Sequence, residues 1–131
     1  MAQFFEASAG AGKLAVTGVL TITDGGGVLQ LYGGTHEHVG SVTVSVPRPS
    51  LADNDRTSVT SSVINLLSHK EEFVGRPAAE MLTVALERPI VCVAGIHIDG
   101  ATEDELKLMA KYSEEVILML MEKTKRLIND K

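Results

Sequence analysis

A chain of 131 residues with net charge −5 and a pI near 5.3 reads as one acidic domain, long enough to bury a real core. Displacing the counterions of DNA or RNA needs a basic surface, and with no tryptophan and 4% aromatic residues a base-stacking platform is excluded as well. Hydrophobic residues at 44% and charged residues at 22% are ordinary for a soluble globular protein, and the longest apolar runs, near 90–96 and 116–121, fall far short of the ~20 residues that span a bilayer.

Residues 3–9 are expected to add a strand ahead of a β-meander. Leu14, Val16, Leu20 and Ile22 share one parity, with Lys13, Thr17, Thr21 and Thr23 opposite, which is the period of a half-buried strand. Asp24-Gly25-Gly26-Gly27 turns the chain, and Val28–Tyr32 returns as the second arm of a hairpin. Gly33-Gly34-Thr35-His36-Glu37-His38 forms the next connection. Val42, Val44 and Val46 then alternate with Ser41, Thr43 and Ser45, which predicts a strand with its valines turned inward. Pro47-Arg48-Pro49-Ser50 is expected to stop that strand, leaving 48–57 as a long loop. Residues 58–66 form a further strand with an unusual row of hydroxyls.

The period changes in the second half. Val74, Ala78, Met81, Leu82 and Ala85 follow helical spacing between His69 and Glu87. Pro77 suits a first turn, so the helix is expected to begin as late as residue 76, with 69–75 a turn. Pro89 leads into a strand over 90–98. Thr102-Glu103-Asp104-Glu105 matches a capping box. Leu106, Met109, Ser113, Val116, Leu120, Lys123 and Leu127 then trace one helical stripe, widened by Ile117. At ~1.5 Å per residue this helix is roughly 39 Å long, enough to overhang a small domain and hint at a partner. The order β-meander, strand, helix, strand, helix predicts an α+β fold in one domain over 1–131: a single sheet with two helices packed on one face. No basic stretch followed by an apolar one marks a signal peptide. The only cysteine, Cys92, sits within the most apolar strand and is expected to be a buried, inert thiol. Both features point to a cytoplasmic protein.

The run Val91–Gly100 is the best candidate for a site. Residues i and i+2 of a strand share a face, so His97 and Asp99 should stand together where an apolar strand meets solvent. His36, His38 and His69 also fall in connections. With Asp99, the histidines His38, His69 and His97 suit a divalent metal such as Zn, Fe, Ni or Mn. Solvated histidines give the same spacing, and no HExxH pattern or cysteine cluster is present. Ser58, Thr60 and Ser61, flanked by Arg48 and followed by Lys70, suit an anion such as a phosphate. Equally, such hydroxyls form an ordinary polar strand face. No GxSxG elbow, Walker loop or GxGxxG is present. Gly95, inside a strand, is expected to mark the close approach of a ligand or another chain.

Several segments, taken in order, carry a resemblance: Gly33-Gly34 with His38-Val39-Gly40-Ser41-Val42; Pro47-Arg48-Pro49-Ser50-Leu51; Ser58-Val59-Thr60-Ser61-Ser62-Val63; His69-Lys70; and Val93-Ala94-Gly95-Ile96-His97-Ile98-Asp99. Over residues 12–128 the chain resembles the small LpdD-like accessory proteins that accompany UbiD-type hydroxyarene (gallate-type) decarboxylases. These are prenylated-flavin chaperones, related in fold to proteasome assembly chaperones. One departure from that pattern is Glu37, where a proline is expected before the histidine; it bears on the turn and not on His38 itself. The resemblance implies a binding protein rather than a catalyst, one that holds prenylated FMN or FMN for a decarboxylase partner. By position, His38, His69, His97 and Asp99 would form the polar end of the site. Arg48, Ser58, Thr60, Ser61 and Lys70 would form its phosphate end. A homodimer or higher homo-oligomer is implied too. Two other readings come from different classes: a small metal-dependent hydrolase or lyase using His38, His69, His97 and Asp99, and an assembly factor acting through its surfaces alone.

Overall fold

The alternating residues before and after Asp24-Gly25 pair as the expected hairpin. Strand β2 (Val16–Thr23) runs antiparallel to β3 (Gly26–Gly34), with Thr23 opposite Gly26. This arrangement comes from a computed structural model that describes residues 1–66 and 72–129. The predicted first strand is β1 (Gln3–Ala9), paired antiparallel with β2. Strands β4 (Ser41–Pro49) and β5 (Thr57–Asn65) form a second antiparallel pair. Helix α1 (Glu72–Leu86), strand β6 (Ile90–His97) and helix α2 (Glu103–Asn129) complete the chain. The result is the expected α+β arrangement. Helix α2 lies across β1 and β2, and α1 across β4, β5 and β6.

The strand order is β1-β2-β3-β6-β4-β5, so the meander ends one strand earlier than its sequence suggests. Strand β6 inserts between β3 and β4, parallel to β3 and antiparallel to β4. The Val91–Ile98 run explains the choice, since a strand this apolar needs a neighbour on each edge and cover on its faces. Leu20, Leu29 and Leu31 of the hairpin and Ile90 and Cys92 of β6 pack against Leu82 and Leu86 of α1 and Val116, Ile117 and Leu120 of α2.

Three local expectations are corrected. Strand β4 does not stop at Pro47 but runs to Pro49, paired with β5 throughout. Its ladder to β6 ends at Ser45, so both prolines lie where β4 is a free edge on that side and breaks no bond. Helix α1 begins at Glu72, which puts Pro77 in its second turn and not its first. Along α2 the buried stripe runs Met109, Ser113, Val116, Ile117, Leu120 and Thr124, while Leu106 is exposed and Lys123 donates to the Glu6 carbonyl. The capping box is as read: Glu105 N–H donates to Thr102 Oγ1 at 3.1 Å, and Thr102 N–H to Glu105 Oε1 at 3.0 Å.

The largest correction concerns which way β4 faces. Ser41, Thr43 and Ser45 are fully buried beneath α1, whereas Val44 and Val46 are 39% and 44% exposed on the far side of the sheet. Small hydroxyl side chains let the Gly75-Ala78-Ala79 surface of α1 come down close to the sheet; a Cβ on Gly75 would already sit 3.3 Å from Ser41 Oγ. The valines are left to the uncovered face.

The connection 35–40 must carry the chain from β3 to β4 across the end of β6. It crosses on the uncovered face, directly over Gly95. The His97 carbonyl accepts from the N–H groups of Thr35 (2.7 Å) and His36 (3.2 Å), and Gly40 N–H donates to Ala94 O at 2.8 Å. A Cβ on Gly95 would fall 1.3 Å from the His38 carbonyl oxygen. The close approach at Gly95 is thus made by this chain's own backbone. Gly34 turns into the crossing with φ +85°, where a side chain would be strained. Gly95→Ala should lower stability by about 2–4 kcal/mol, because the crossing must lift off β6 to admit the methyl. Urea unfolding followed by circular dichroism measures this, and an unchanged midpoint contradicts the crossing.

Candidate functional site

The crossing brings three of the predicted polar residues together. His97 ends β6 on the uncovered face, and Asp99 follows two residues later. His97 Nε2 lies 3.0 Å from Asp99 Oδ1. A carboxylate only accepts, so Nε2 carries the proton and Nδ1 remains the ring's other polar atom. The His38 ring stands edge-on to His97 with centroids 6.2 Å apart and stacks against His36 at 5.7 Å. Thr35 braces the group: its Oγ1 accepts from Asp99 N–H at 3.0 Å and lies 3.3 Å from the His97 carbonyl as a donor. Nothing in the spacing of Thr35 singled it out. Its only signal was its place directly after Gly33-Gly34, at the start of the crossing.

His97 and Asp99 are both well exposed, so the cluster is a surface group and not a buried catalytic centre. Among the described residues no group of three or more His, Cys, Asp or Glu is placed to hold a metal ion. His38, His97 and Asp99 therefore do not form such a group by themselves. His69, the fourth residue of the expected metal set, and Lys70 lie outside the described residues.

A second polar cluster sits at the other end of the same face. Arg48 pairs with Ser58 across the β4–β5 ladder, and its Nε donates to Thr60 Oγ1 at 2.9 Å. Its Nη1 donates to the Pro49 carbonyl. Ser61 does not belong with them. Adjacent strand residues face opposite ways, and Ser61 points beneath α1, where its hydroxyl donates to Glu80 Oε2 at 2.6 Å and lies 3.2 Å from Ser45 Oγ. The hydroxyl row thus splits, with Ser58 and Thr60 outward and Ser61 serving the sheet–helix contact.

The register measures the gap between the two clusters. Ala94 pairs with Ser41 and Ile90 with Ser45, so His97 lies three residues beyond one end of this ladder and Arg48 three beyond the other. That is about ten residue steps, or roughly 33 Å at ~3.3 Å per residue. Val42, Val44, Val46, Val91 and Val93 occupy the face between them. On the opposite side of the molecule, a groove of about 320 Å³ between the helices is lined by Phe73, Pro77, Met81, Ser113, Glu114 and Ile117. It contains none of the candidate residues.

Cys92 is buried, and burial pushes its thiol up to about 12, which removes thiolate nucleophilicity at neutral pH. Among the described residues no helix is long and apolar enough to cross a membrane.

Comparison with known proteins bears on the family and the fold. A family model described as "Prenylated flavin chaperone LpdD-like domain" matches residues 10–125. No curated protein matches. Among solved structures, one titled as the crystal structure of a novel chaperone complex for yeast 20S proteasome assembly superposes with a TM-score of 0.61 at 11% identity. The match covers 93% of this chain and 96% of that one, and it shows a shared fold.

The thiol supplies a direct check of the packing. Cys92 should resist a soluble disulfide reagent in the native protein and release one equivalent per chain in denaturant. Rapid native labelling would mean that β6 is not buried beneath α1.

Proposed function

The chain belongs to the LpdD-like prenylated flavin chaperone family, and we propose that it holds prenylated FMN, or FMN, and passes it to a UbiD-type decarboxylase in the cytoplasm. The observation that carries this reading is the convergence of His38, His97 and Asp99 beside an open apolar strip on one sheet face.

The residues present fit such a group. Fused aromatic rings can lie on branched aliphatic side chains such as Val42, Val91 and Val93. The polar ring edge needs donors and acceptors, which His97, Asp99 and His38 supply. A phosphate needs a guanidinium and hydroxyls; Arg48, Ser58 and Thr60 have that chemistry. Within one chain, however, they lie roughly 33 Å from the histidine cluster, beyond the reach of a flavin whose ring sits there. When bound, the flavin supplies the reactive ring that the decarboxylase uses. This chain's residues bind that ring and orient it.

Exposure of the histidine cluster suits a carrier. A group buried on all sides would have to unfold part of its host before leaving. One bound at a surface strip leaves when a competing surface offers better contacts.

The test is co-expression with a flavin prenyltransferase, followed by purification and a visible absorption spectrum. The wild-type protein should carry the cofactor. The double variant His97→Ala/Asp99→Ala should lose it, with affinity lower by roughly 10–100-fold and an unchanged far-ultraviolet circular dichroism spectrum. A colourless wild-type protein that also fails to retain the cofactor in a pull-down would overturn the reading. Full activation of the decarboxylase by the double variant would instead favour an assembly factor that acts through its surfaces.

A further inference from the structure

The sheet ends in two edge strands, β1 and β5. A free edge presents unpaired N–H and C=O groups that pair with any extended chain. Proteins therefore blunt their edges with charges, prolines, bulges or covering side chains. The β1 edge is blunted. It carries Glu6, Lys123 of α2 reaches over to donate to the Glu6 carbonyl, and Arg126 donates to Gln3 Oε1 at 2.7 Å. The β5 edge has no such defence. Its nine residues include no charge, no proline and no glycine. Its register with β4 runs without a bulge from Ser41 opposite Asn65 to Pro49 opposite Thr57. Among the described residues β4 is its one strand neighbour. Alternate residues of an edge strand turn both backbone groups outward, so a strand of this length offers about four such pairs to an added strand.

The side of this edge that α1 covers is flanked by carboxylates. Glu80 Oε2 accepts from the Ser61 hydroxyl at 2.6 Å, and Glu87 Oε1 accepts from the Thr57 hydroxyl at 3.0 Å. Arg76, one turn before Glu80, lies 3.5 Å from its carboxylate. These charges disfavour a second copy of β5 as the occupant. Full-length antiparallel pairing of two such strands sets Ser61 opposite Ser61. The two Glu80 carboxylates, each bonded to its own Ser61, would then stand within roughly 10 Å of each other on one face. Like charges facing each other across a strand pair are destabilising. A foreign strand with a lysine or arginine opposite Ser61 meets the same carboxylate favourably, and one four residues away shares that face and meets Glu87.

The edge also leads to the histidine cluster. Leu66, directly after β5, donates its N–H to the Gly40 carbonyl at 2.9 Å, and Gly40 closes the crossing that carries His38. A strand added to β5 would lie three strand spacings across and three residue steps along from His97, roughly 17 Å away.

We propose that the free edge of β5 is where the decarboxylase docks. An extended segment of that enzyme adds to the sheet as a seventh strand, with a basic side chain set against Glu80. Main-chain hydrogen bonds hold it, and the carboxylates of α1 select it. This rests on the flavin reading above for the identity of the partner. It deepens that reading, because a partner held here stands beside the cofactor it is to receive.

The test is amide hydrogen exchange, read residue by residue, on flavin-free protein with and without the apo-decarboxylase. Strand addition should slow alternate amides of residues 57–64, those turned away from β4, by at least about 10-fold. Residues 3–9 of β1 should be unchanged. Covering a sheet face would not give that alternation. The double variant Glu80→Gln/Glu87→Gln keeps acceptors for both hydroxyls and removes both charges. It should bind the decarboxylase roughly 5-fold more weakly, with a flatter salt dependence, and retain prenylated FMN as the wild type does. Unchanged exchange over 57–64 overturns the proposal, as does slowing in β1 instead. The same slowing in the protein alone, growing with its concentration, would make the occupant a second copy and overturn the choice of partner. Undiminished decarboxylase binding by the double variant overturns the charge match. The two readings fail separately, since the exchange is measured without flavin. A wild type that holds flavin but shows no slowing ends this proposal and leaves the flavin reading standing. Slowing in a protein that binds no flavin does the reverse.

Discussion

The carbonyl of His97 holds the top of this molecule together. It accepts two backbone N–H groups from the segment that leaves β3, and so fixes that segment across the end of β6. Three consequences follow from that bond pair. Strand β6 is enclosed between β3 and β4, so its valines and its buried cysteine gain neighbours on both edges. His38 is carried to the face on which His97 and Asp99 emerge. Residue 95 has to be glycine, because the peptide of His38 occupies the space of a side chain. Topology and the polar cluster thus share one cause.

A second constraint is the division of labour between the two faces of the sheet. Under α1, serine and threonine side chains permit a close approach by a glycine- and alanine-rich helix surface. Ser61 bonds to Glu80, and Thr83 satisfies its hydroxyl on the Ala79 carbonyl within its own helix. Ser41 and Thr43 keep buried hydroxyls with no partner among the described residues, which costs free energy that close packing must offset. The same alternation turns the valines of β4 outward. The hydroxyls of β4 thus serve the contact with α1, and its valines stand on the face that neither helix covers.

Most of the elements were legible because period two and period 3.6 are strong local signals. The hairpin through Asp24-Gly25, the capping box at Thr102 and the α+β class all appeared on that basis, and the ordered motifs around His38 and His97 pointed to the family. What the sequence hid was non-local. Nothing in residues 33–40 says that a later strand will slip beneath them, so the meander read as continuous. Valines alternating with serines read as core alternating with solvent. The reverse holds because hydrophobicity alone does not say whether a face meets this chain's own helix or another surface. The pairing of His97 with Asp99 followed directly from strand parity, which also explains why Ser61 parts from Ser58 and Thr60. His69 and Lys70 lie outside the described residues, so their place beside the cluster stays a matter of sequence.

The central claim is that the uncovered sheet face, and not the groove between the helices, receives the flavin. Amide chemical-shift mapping of the labelled protein titrated with prenylated FMN tests it most directly. The account predicts that the largest changes fall at Thr35, His38, Gly95, His97 and Asp99. Changes confined to Phe73, Met81, Ser113 and Ile117 would contradict it.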